Sequence, residues 1–249
     1  MLLKACLNGA RRPAEHPALP ITPEQLAMDV RRVVAAGARA VHVHAKDAEG
    51  ADTLAAPALA RVLEAIRSTV PDIGIGATTG AWAMPDPDQR VAAIGSWTEL
   101  PDFASVNWHE TGADEVAAAL RRRGVGVEAG LWHREGADAW LASTHRDRCC
   151  RVMVELPDGL DPAATQAEAE RLLAQLGLGN GERRLGRIPV LLHGEGTSCW
   201  PALKHAGRRG LQVRIGLEDV LVLPDGSPAP DNASLVVAAR DLLRATPVS

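Results

Sequence analysis

The chain has 249 residues, of which 46% are hydrophobic and 23% are charged. A chain of this length and composition can bury a full core, and α/β barrels of about this size form one domain. The net charge is −4 and the 27 lysines and arginines are scattered along the chain. The basic stripe that binds a phosphate backbone is therefore missing, and nucleic acid is not expected as a partner.

The sequence carries no apolar run that approaches the roughly 18 residues of a membrane helix. Its first eight residues are too short for a signal peptide, so we expect a cytoplasmic protein with no membrane attachment. The four cysteines show no Cys-x-x-Cys spacing, and two of them are adjacent. This pattern favours reduced thiols over a disulfide framework or an all-cysteine zinc site.

Predicted strands and helices alternate from the beginning of the chain to its end. The first strand, Leu2–Leu7, stops at a turn, and Thr22 then caps a helix that begins with a proline and ends at Gly37. The second strand is Ala40–His44. Six more strands are predicted at Ile73–Ala77, Phe103–Asn107, Val125–Ala129, Cys150–Glu155, Pro189–Leu192 and Gln212–Gly216.

The remaining predicted helices lie between these strands and after the last one. They are Pro57–Val70, Pro87–Trp97, Asp114–Arg122, Gly136–Ser143, Pro162–Leu176, Pro201–Ala206 and Ala233–Leu243. Eight strands, each followed by a helix, fit a (β/α)8 TIM barrel better than an open doubly wound sheet. We therefore predict an α/β protein in which residues 1–249 form a single (β/α)8 barrel domain.

Three residues at the predicted mouth of this barrel form a candidate metal site. His42 and His44 lie on the same side of the second strand, and Glu218 follows the last strand. In a closed barrel these two strands flank the first, and active sites lie at the C-terminal ends of the strands. Two imidazole nitrogens and one carboxylate oxygen suit a zinc ion with an open fourth position.

Each of these residues also has an ordinary structural interpretation. Two histidines on a strand can be partly buried groups that hydrogen-bond to the backbone. Arg214, which precedes Glu218 on the last strand, can be an ion-paired filler of the barrel, and Asp219 can be a helix-capping or solvent-facing acid. The acid across the mouth from the two histidines favours the metal site.

Four strings in chain order carry a resemblance to a known family: Ile21-Thr22-Pro23-Glu24; Ala36-Gly37-Ala38 leading into Val41-His42-Val43-His44 and Lys46-Asp47; Thr78-Thr79-Gly80; and Arg214-Ile215-Gly216-Leu217-Glu218-Asp219. They resemble the β-keto acid cleavage enzymes, and the resemblance covers nearly the whole chain. It implies a metal-dependent TIM-barrel enzyme that acts on small acids.

The resemblance also implies roles for individual residues. One zinc ion per chain would be held by His42, His44 and Glu218, with Asp219 as the general base and Arg214 in the reaction centre. The side chains expected to hydrogen-bond the keto acid are those of Thr78, Ser105 and Asn107. Such enzymes transfer the acyl fragment of a β-keto acid to acetyl-CoA, which gives acetoacetate and a new acyl-CoA, and homo-oligomers are common among them.

Two positions depart from the family pattern. Family members that act on amino substrates carry an acid where this chain has Arg11, so we expect Arg11 to bind a substrate whose far end is anionic or a neutral acceptor. The family often has a glutamate, paired with its reaction-centre arginine, where this chain has Gly130. Glu128, two residues earlier, is the expected substitute.

Two other functions are compatible with the sequence. A metal-assisted aldolase or hydrolase acting on a keto acid would keep the metal but need no CoA. A metal- or ligand-binding barrel without catalysis would keep the ligands and leave Arg214 and Asp219 dispensable. Activity with and without acetyl-CoA separates the first of these from the cleavage enzyme.

Overall fold

The computed structural model describes residues 1–179 and 184–246 of the chain. The strands in these residues are β1 Leu3–Cys6, β2 Ala40–Val43, β3 Gly74–Ala77, β4 Phe103–Asn107, β5 Gly126–Leu131, β6 Arg151–Leu156, β7 Arg184–Leu185, β8 Ile188–Gly194 and β9 Val213–Ile215. The α-helices are α1 Pro23–Ala36, α2 Ala56–Thr69, α3 Pro87–Ser96, α4 Ala113–Arg122, α5 Arg134–Ala142, α6 Pro162–Gln175, α7 Cys199–Arg209 and α8 Asn232–Arg244.

Eight of these strands form a parallel barrel in the order β8-β6-β5-β4-β3-β2-β1-β9. The ring closes between β8 and β9, where the Leu192 amide donates to the Gln212 carbonyl and the Gln212 amide donates to the Val190 carbonyl, each at 3.0 Å. The short strand β7 pairs antiparallel with β8 and is not part of the ring. The predicted (β/α)8 barrel is confirmed.

The apolar core lies between the barrel wall and the helices. Val41 and Val43 on β2 and Ile215 on β9 are fully buried there, against helix residues such as Val30 and Val33 of α1. Their neighbours on the same strands face the barrel interior, because side chains alternate along a strand. That interior is polar, and it contains the predicted site residues that lie on strands, such as His42, Ser105 and Arg214.

Local signals explain where the observed bounds depart from the predicted ones. Helix α7 begins before Pro201, because proline is tolerated in the first turn of a helix. It continues to Gly210, whose φ of 65° makes it a left-handed C-cap. Strand β5 extends to Leu131, and its residue Gly130 pairs in register with Asn107.

Of the helices within residues 1–179 and 184–246, none is both long enough and apolar enough to cross a bilayer.

Candidate active site

The three predicted metal ligands come together at the mouth of the barrel. His42 lies on β2, His44 directly follows that strand, and Glu218 follows β9. One ligand atom from each residue lies within 4.8 Å of the others, and Nε2 of His44 is 3.9 Å from Oε1 of Glu218. Atoms at these separations can bind one ion, as the alternation of the sequence predicted.

The turn after β1 holds this arrangement in place. The Asn8 side chain donates to the His44 carbonyl and accepts from the His44 amide, both at 2.9 Å. Gly9 has a φ of 54°, and a Cβ at this position would stand 2.4 Å from Cγ of Glu218. A glycine is therefore required here on two counts, and it leaves room for Glu218 to reach across β1.

A second carboxylate fixes the orientation of the His44 ring. Oδ2 of Asp52 lies 2.7 Å from Nδ1 of His44, and Asp52 also accepts from Lys46 at 2.5 Å and from the Trp82 indole at 2.7 Å. Burial alone would raise the pKa of Asp52, but the His44 hydrogen bond and the nearby charges lower it to about 2. Asp52 therefore stays ionised and leaves Nε2 of His44 free to face Glu218.

The chemistry of the donor atoms fits a divalent metal. Nδ1 of His42 and Oε2 of Glu218 are buried and have no hydrogen-bond partner within residues 1–179 and 184–246. Burial, followed by the neighbouring His44, lowers the pKa of His42 well below its usual value, so the ring is neutral. A neutral imidazole and an unpaired carboxylate oxygen are the forms in which these groups bind a metal.

Arg214 lies next to this site and pairs with several acids. Its guanidinium donates to Oδ1 of Asp219 at 3.1 and 2.7 Å, and Nη2 lies 3.2 Å from Glu218. Asp219 is completely buried and bonded to the arginine, so it neither caps a helix nor faces solvent. Arg214 does not only fill the barrel, because it also contributes to the wall of a cavity.

That cavity, of about 360 Å³, opens above the metal ligands. All four residues predicted to bind substrate line it: Arg11, Thr78, Ser105 and Asn107. Asn107 already donates to Glu110 at 3.0 Å and accepts from Trp132 at 3.2 Å. Asp219 is not part of the cavity lining.

Arg11 lies at the rim of the cavity and is held on two sides. Its Nε donates to the Leu217 carbonyl at 2.5 Å, and Nη1 pairs with Glu15 at 3.1 Å. Glu15 also lines the cavity, so a cation and an anion face the substrate from the same rim.

The expected substitution of Glu128 for the missing glutamate is wrong. The Glu128 carboxylate binds Lys4 and Arg151 at the opposite end of the barrel. Glu155 of β6 lies beside Arg214 instead, with Oε2 3.6 Å from Nη1 of the arginine. A Cβ at position 130 would stand only 2.5 Å from Oε1 of Glu155, so the glycine makes room for the carboxylate of the neighbouring strand.

The sequence predicted that the loop beginning at His193 could contact the substrate, but no role was predicted for the side chains of three further polar residues at the mouth: His193, Glu195 and Asp52. His193 hydrogen-bonds Glu155 at 2.8 Å. Glu195 lines the cavity, and burial, followed by the Asp219 charge, raises its pKa to about 7. Glu155 was detectable, because it shares the inward parity of Arg151 and Met153 and ends a predicted strand. Asp52 belongs to a loop whose contact with His44 no periodic pattern predicts.

A TIM barrel with two histidines, a glutamate and a buried arginine at its mouth defines a class of metal-assisted enzymes that act on small polar substrates. The family model described as beta-keto acid cleavage enzyme matches residues 1–247. The 3-keto-5-aminohexanoate cleavage enzyme of Fusobacterium nucleatum is 33% identical, over 95% of this chain and 88% of the relative. The enzyme of the same name from Acetoanaerobium sticklandii is 21% identical, over 95% and 89%.

The chain therefore belongs to the β-keto acid cleavage enzyme family, whose members are enzymes that cleave a carbon–carbon bond. Among solved structures, ObcA in a ternary complex with a C4-CoA adduct and oxalate has a similar fold. It has a TM-score of 0.67 and 18% identity, and the match covers 94% of this chain. The chain spans 65% of the length of ObcA.

Proposed function

We propose that this protein is a zinc-dependent enzyme that condenses a β-keto acid with acetyl-CoA and releases acetoacetate and a new acyl-CoA. The observation that carries the proposal is the convergence of His42, His44 and Glu218 on one point at the floor of a cavity that Arg214 also lines. Membership of the family supports the same reaction class.

Zinc suits the ligand set, because two imidazole nitrogens and one carboxylate oxygen leave a fourth tetrahedral position for substrate. When bound there, the metal would supply Lewis acidity that polarises the keto and carboxylate oxygens of the substrate. The protein contributes the orientation of the ligands, through Asp52 and Asn8. It also contributes a cavity wall from which Thr78, Ser105 and Asn107 can hydrogen-bond the acid.

Arg214 is the fixed positive charge of the cavity. Its pairing with buried Asp219 orders the guanidinium before substrate arrives, so that no conformational freedom has to be lost on binding. A guanidinium held in this way can bind one oxygen of an anionic substrate. The resemblance assigns the base to Asp219, which stays a prediction.

A groove next to the cavity supports the proposal that a long co-substrate such as acetyl-CoA binds. The groove has a volume of about 880 Å³ and extends over α7. Arg11 lines both this groove and the cavity above the candidate metal ligands, which we call the metal cavity. Its lining includes the exposed Lys204 and the ring of Trp200. A thioester whose acyl group enters the metal cavity would lie along this groove, with an ammonium available to its phosphates. The C4-CoA adduct bound by ObcA has the same chemical character.

Arg11 is the proposed selector of the far end of the substrate. It faces the cavity from the rim, so a substrate ammonium there would meet a guanidinium, whereas a carboxylate could pair with it. The ion pair with Glu15 holds Arg11 in place and offsets part of its charge. A neutral acceptor is therefore a substrate class as suitable as an anion.

A substrate panel tests the reaction and the selector together. Zinc-loaded protein is incubated with 3-oxohexanoate, 3-oxoadipate and 3-keto-5-aminohexanoate, each with and without acetyl-CoA, and acyl-CoA products are measured by mass spectrometry. We expect turnover only with acetyl-CoA and a higher kcat/KM for 3-oxoadipate or 3-oxohexanoate than for the amine. In Arg11→Gln this preference should shrink.

Other results would favour other functions. Cleavage without acetyl-CoA would favour a CoA-independent aldolase or hydrolase, and metal binding without turnover of any acid would favour a binding protein. A preference for the amine would show that Glu15, and not Arg11, faces the far end of the substrate. Cytoplasmic location and a homo-oligomeric state also stay predictions, and light scattering on purified protein tests the second.

A further inference from the structure

Glu110 is a carboxylate that lies behind the wall of the metal cavity. It belongs to the turn after β4, and its side chain is only 7% exposed. Its Oε1 accepts from Nδ2 of Asn107 at 3.0 Å, and its Oε2 accepts from the Ala81 amide at 3.0 Å and from Nη1 of Arg90 at 2.6 Å. Both oxygens are bonded within the protein, so any effect of Glu110 on a substrate has to pass through a neighbour.

Arg90 anchors this carboxylate from α3. It is 1% exposed, and an arginine is buried to this extent only with partners for its charge. Besides Glu110, its guanidinium donates to the Thr111 carbonyl and, at 3.5 Å, to the Thr79 carbonyl. Arg90 therefore joins the loop after β4 to the loop after β3, which carries the cavity residue Thr78.

The side-chain amide of Asn107 lies between two partners of opposite character. Nε1 of Trp132 donates to its Oδ1 at 3.2 Å, while Oε1 of Glu110 accepts from its Nδ2 at 3.0 Å. An indole can only donate, and a carboxylate paired with an arginine only accepts. The two partners are therefore satisfied together in only one orientation of the amide.

This orientation decides what Asn107 offers to a ligand. The amide nitrogen carries two hydrogens, and the bond to Glu110 uses one of them. The other is available to an acceptor in the metal cavity, which Asn107 lines. An N–H suits a keto or carboxylate oxygen, whereas the opposite orientation would turn the amide oxygen toward it.

We propose that Glu110 and Arg90 are positioning residues, which orient the Asn107 amide so that it donates to an oxygen of the bound β-keto acid. The inference rests on the proposed function, because it concerns the acid bound above the metal ligands. Glu110 sets the orientation of the amide, and Arg90 holds Glu110 in place. Neither residue contacts the substrate.

Glu110→Gln tests the orientation, because the side chain of glutamine has only one oxygen. The guanidinium of Arg90 and the Ala81 amide both require an acceptor at the position of Oε2. The glutamine oxygen is therefore expected there, which turns its NH2 group toward Nδ2 of Asn107. The Asn107 amide then has to rotate, and its own NH2 group meets the N–H of Trp132.

A double-mutant cycle measures this conflict without any substrate. Urea unfolding gives the stability of the wild type, Glu110→Gln, Trp132→Phe and the double variant. Phenylalanine keeps an aromatic ring but has no N–H, so the rotated amide no longer meets a donor. We expect Glu110→Gln to shift the unfolding midpoint less in the Trp132→Phe background than in the wild-type background. Equal shifts in the two backgrounds would overturn the inference.

Turnover tests whether the positioning reaches the substrate. With the best acid of the panel and unchanged zinc content, Glu110→Gln should lower kcat/KM by about 10- to 100-fold, the typical effect of losing a hydrogen bond to a charged group. The KM for the keto acid should rise while the KM for acetyl-CoA stays the same, which a general loss of structure would not produce. In the Asn107→Ala background the same change should lower kcat/KM by less than about 3-fold. An equal loss in both backgrounds would mean that Glu110 does not act through Asn107.

A second variant and a matched control accompany these measurements. Arg90→Lys keeps a cation beside Glu110 but gives up the fork that reaches the two loops, so the KM for the keto acid should rise less than in Glu110→Gln. A wild-type KM in Arg90→Lys would remove Arg90 from the proposal. Glu170→Gln is the control, because Glu170 pairs with Arg209 at 2.7 Å on the outside of the barrel; both of its KM values should equal those of the wild type.

The outcomes distinguish the inference from the function on which it rests. If the wild type turns over no acid of the panel, the proposed function fails, while the unfolding cycle still decides whether Glu110 orients the Asn107 amide. If the wild type turns over substrate and the unfolding cycle is additive, only the inference is overturned.

Discussion

Both ends of the barrel interior contain charged side chains, but the two ends differ in whether the buried polar atoms have partners. At the amino end, Lys4 binds Glu128 at 2.7 Å, and Arg151 binds Glu128 and also Gln212 at 2.6 Å. Lys4 and Arg151 also lie over the ring of Phe103, each 5.6 Å from its centre. The buried nitrogen and oxygen atoms of this amino-end cluster all have partners.

The mouth has several buried polar atoms without a partner in the described residues. They are Nδ1 of His42, Oε1 of Glu155, Nδ1 of His193, Oε2 of Glu218 and Oδ2 of Asp219. Each of these atoms has lost its hydrogen bonds to water without gaining a hydrogen bond within the protein, and this lowers the free energy of unfolding. The ion cluster at the amino end is therefore complete in the protein alone, whereas the unpartnered atoms at the mouth are ones that a metal and a substrate would satisfy.

The largest expected effect is that of His42→Ala at the mouth. We expect the variant to lose its metal, and its turnover to fall by more than the roughly 100-fold that loss of a supporting residue costs. Elemental analysis should give close to one divalent metal per wild-type chain and almost none in the variant. His205→Ala is the matched control, because His205 is a buried histidine on α7 that pairs with Glu170 at 2.8 Å. A fully loaded His42→Ala protein would refute the ligand set.

At the amino end the expected effect falls on stability and not on metal content. Lys4→Met leaves Glu128 with Arg151 alone, and breaking a buried ion pair typically costs about 3–5 kcal/mol of the free energy of unfolding. Urea unfolding measures this loss, and zinc content should stay at the wild-type level. The double variant Lys4→Met/Glu128→Leu should recover part of the lost stability. Loss of zinc in Lys4→Met would show that the two ends are not independent.

The barrel and the convergence of the three candidate metal ligands could be predicted from the sequence, because both depend on periodicity. Alternation along a strand places His42 and His44 on one side, and the count of strands brings Glu218 next to them. The position of Glu155 depends instead on the distance between two strands. The missing glutamate was expected on the strand of Gly130, whereas the carboxylate beside Arg214 comes from the neighbouring strand.

A smaller effect is expected from the residue that orients His44. Asp52→Asn weakens the hydrogen bond to Nδ1 but keeps the shape of the side chain, so we expect zinc affinity to fall by about 10- to 100-fold. Competition with a chelator of known affinity measures the change. Asp72→Asn, at an exposed aspartate, is the control and should bind zinc as the wild type does. Equal affinities for all three proteins would show that Asp52 serves only the loop.

The smallest expected effect is the change in stability when Glu195, an acid at the mouth, is replaced by glutamine. Burial and then the Asp219 charge raise the pKa of Glu195 from 4.5 to about 7. The folded state therefore binds more protons than the unfolded state between these values, and stability decreases as pH rises through this window. Glutamine cannot ionise, so the stability of Glu195→Gln does not decrease in this way as pH rises.

The gain in melting temperature of Glu195→Gln over the wild type should therefore be larger at pH 8.5 than at pH 5. A difference of about 1 kcal/mol would appear as roughly 2–4 °C. The measurement is made on protein stripped of metal with EDTA, because a bound cation would favour the ionised carboxylate. Glu170→Gln, outside the barrel, should show no such pH-dependent gain. The opposite result would be a Glu195→Gln variant whose gain over the wild type is the same at pH 8.5 and at pH 5. In that case ionisation of the Glu195 carboxylate does not lower the stability of the folded protein. The unpartnered polar atoms at the mouth would then lower stability less than their burial indicates.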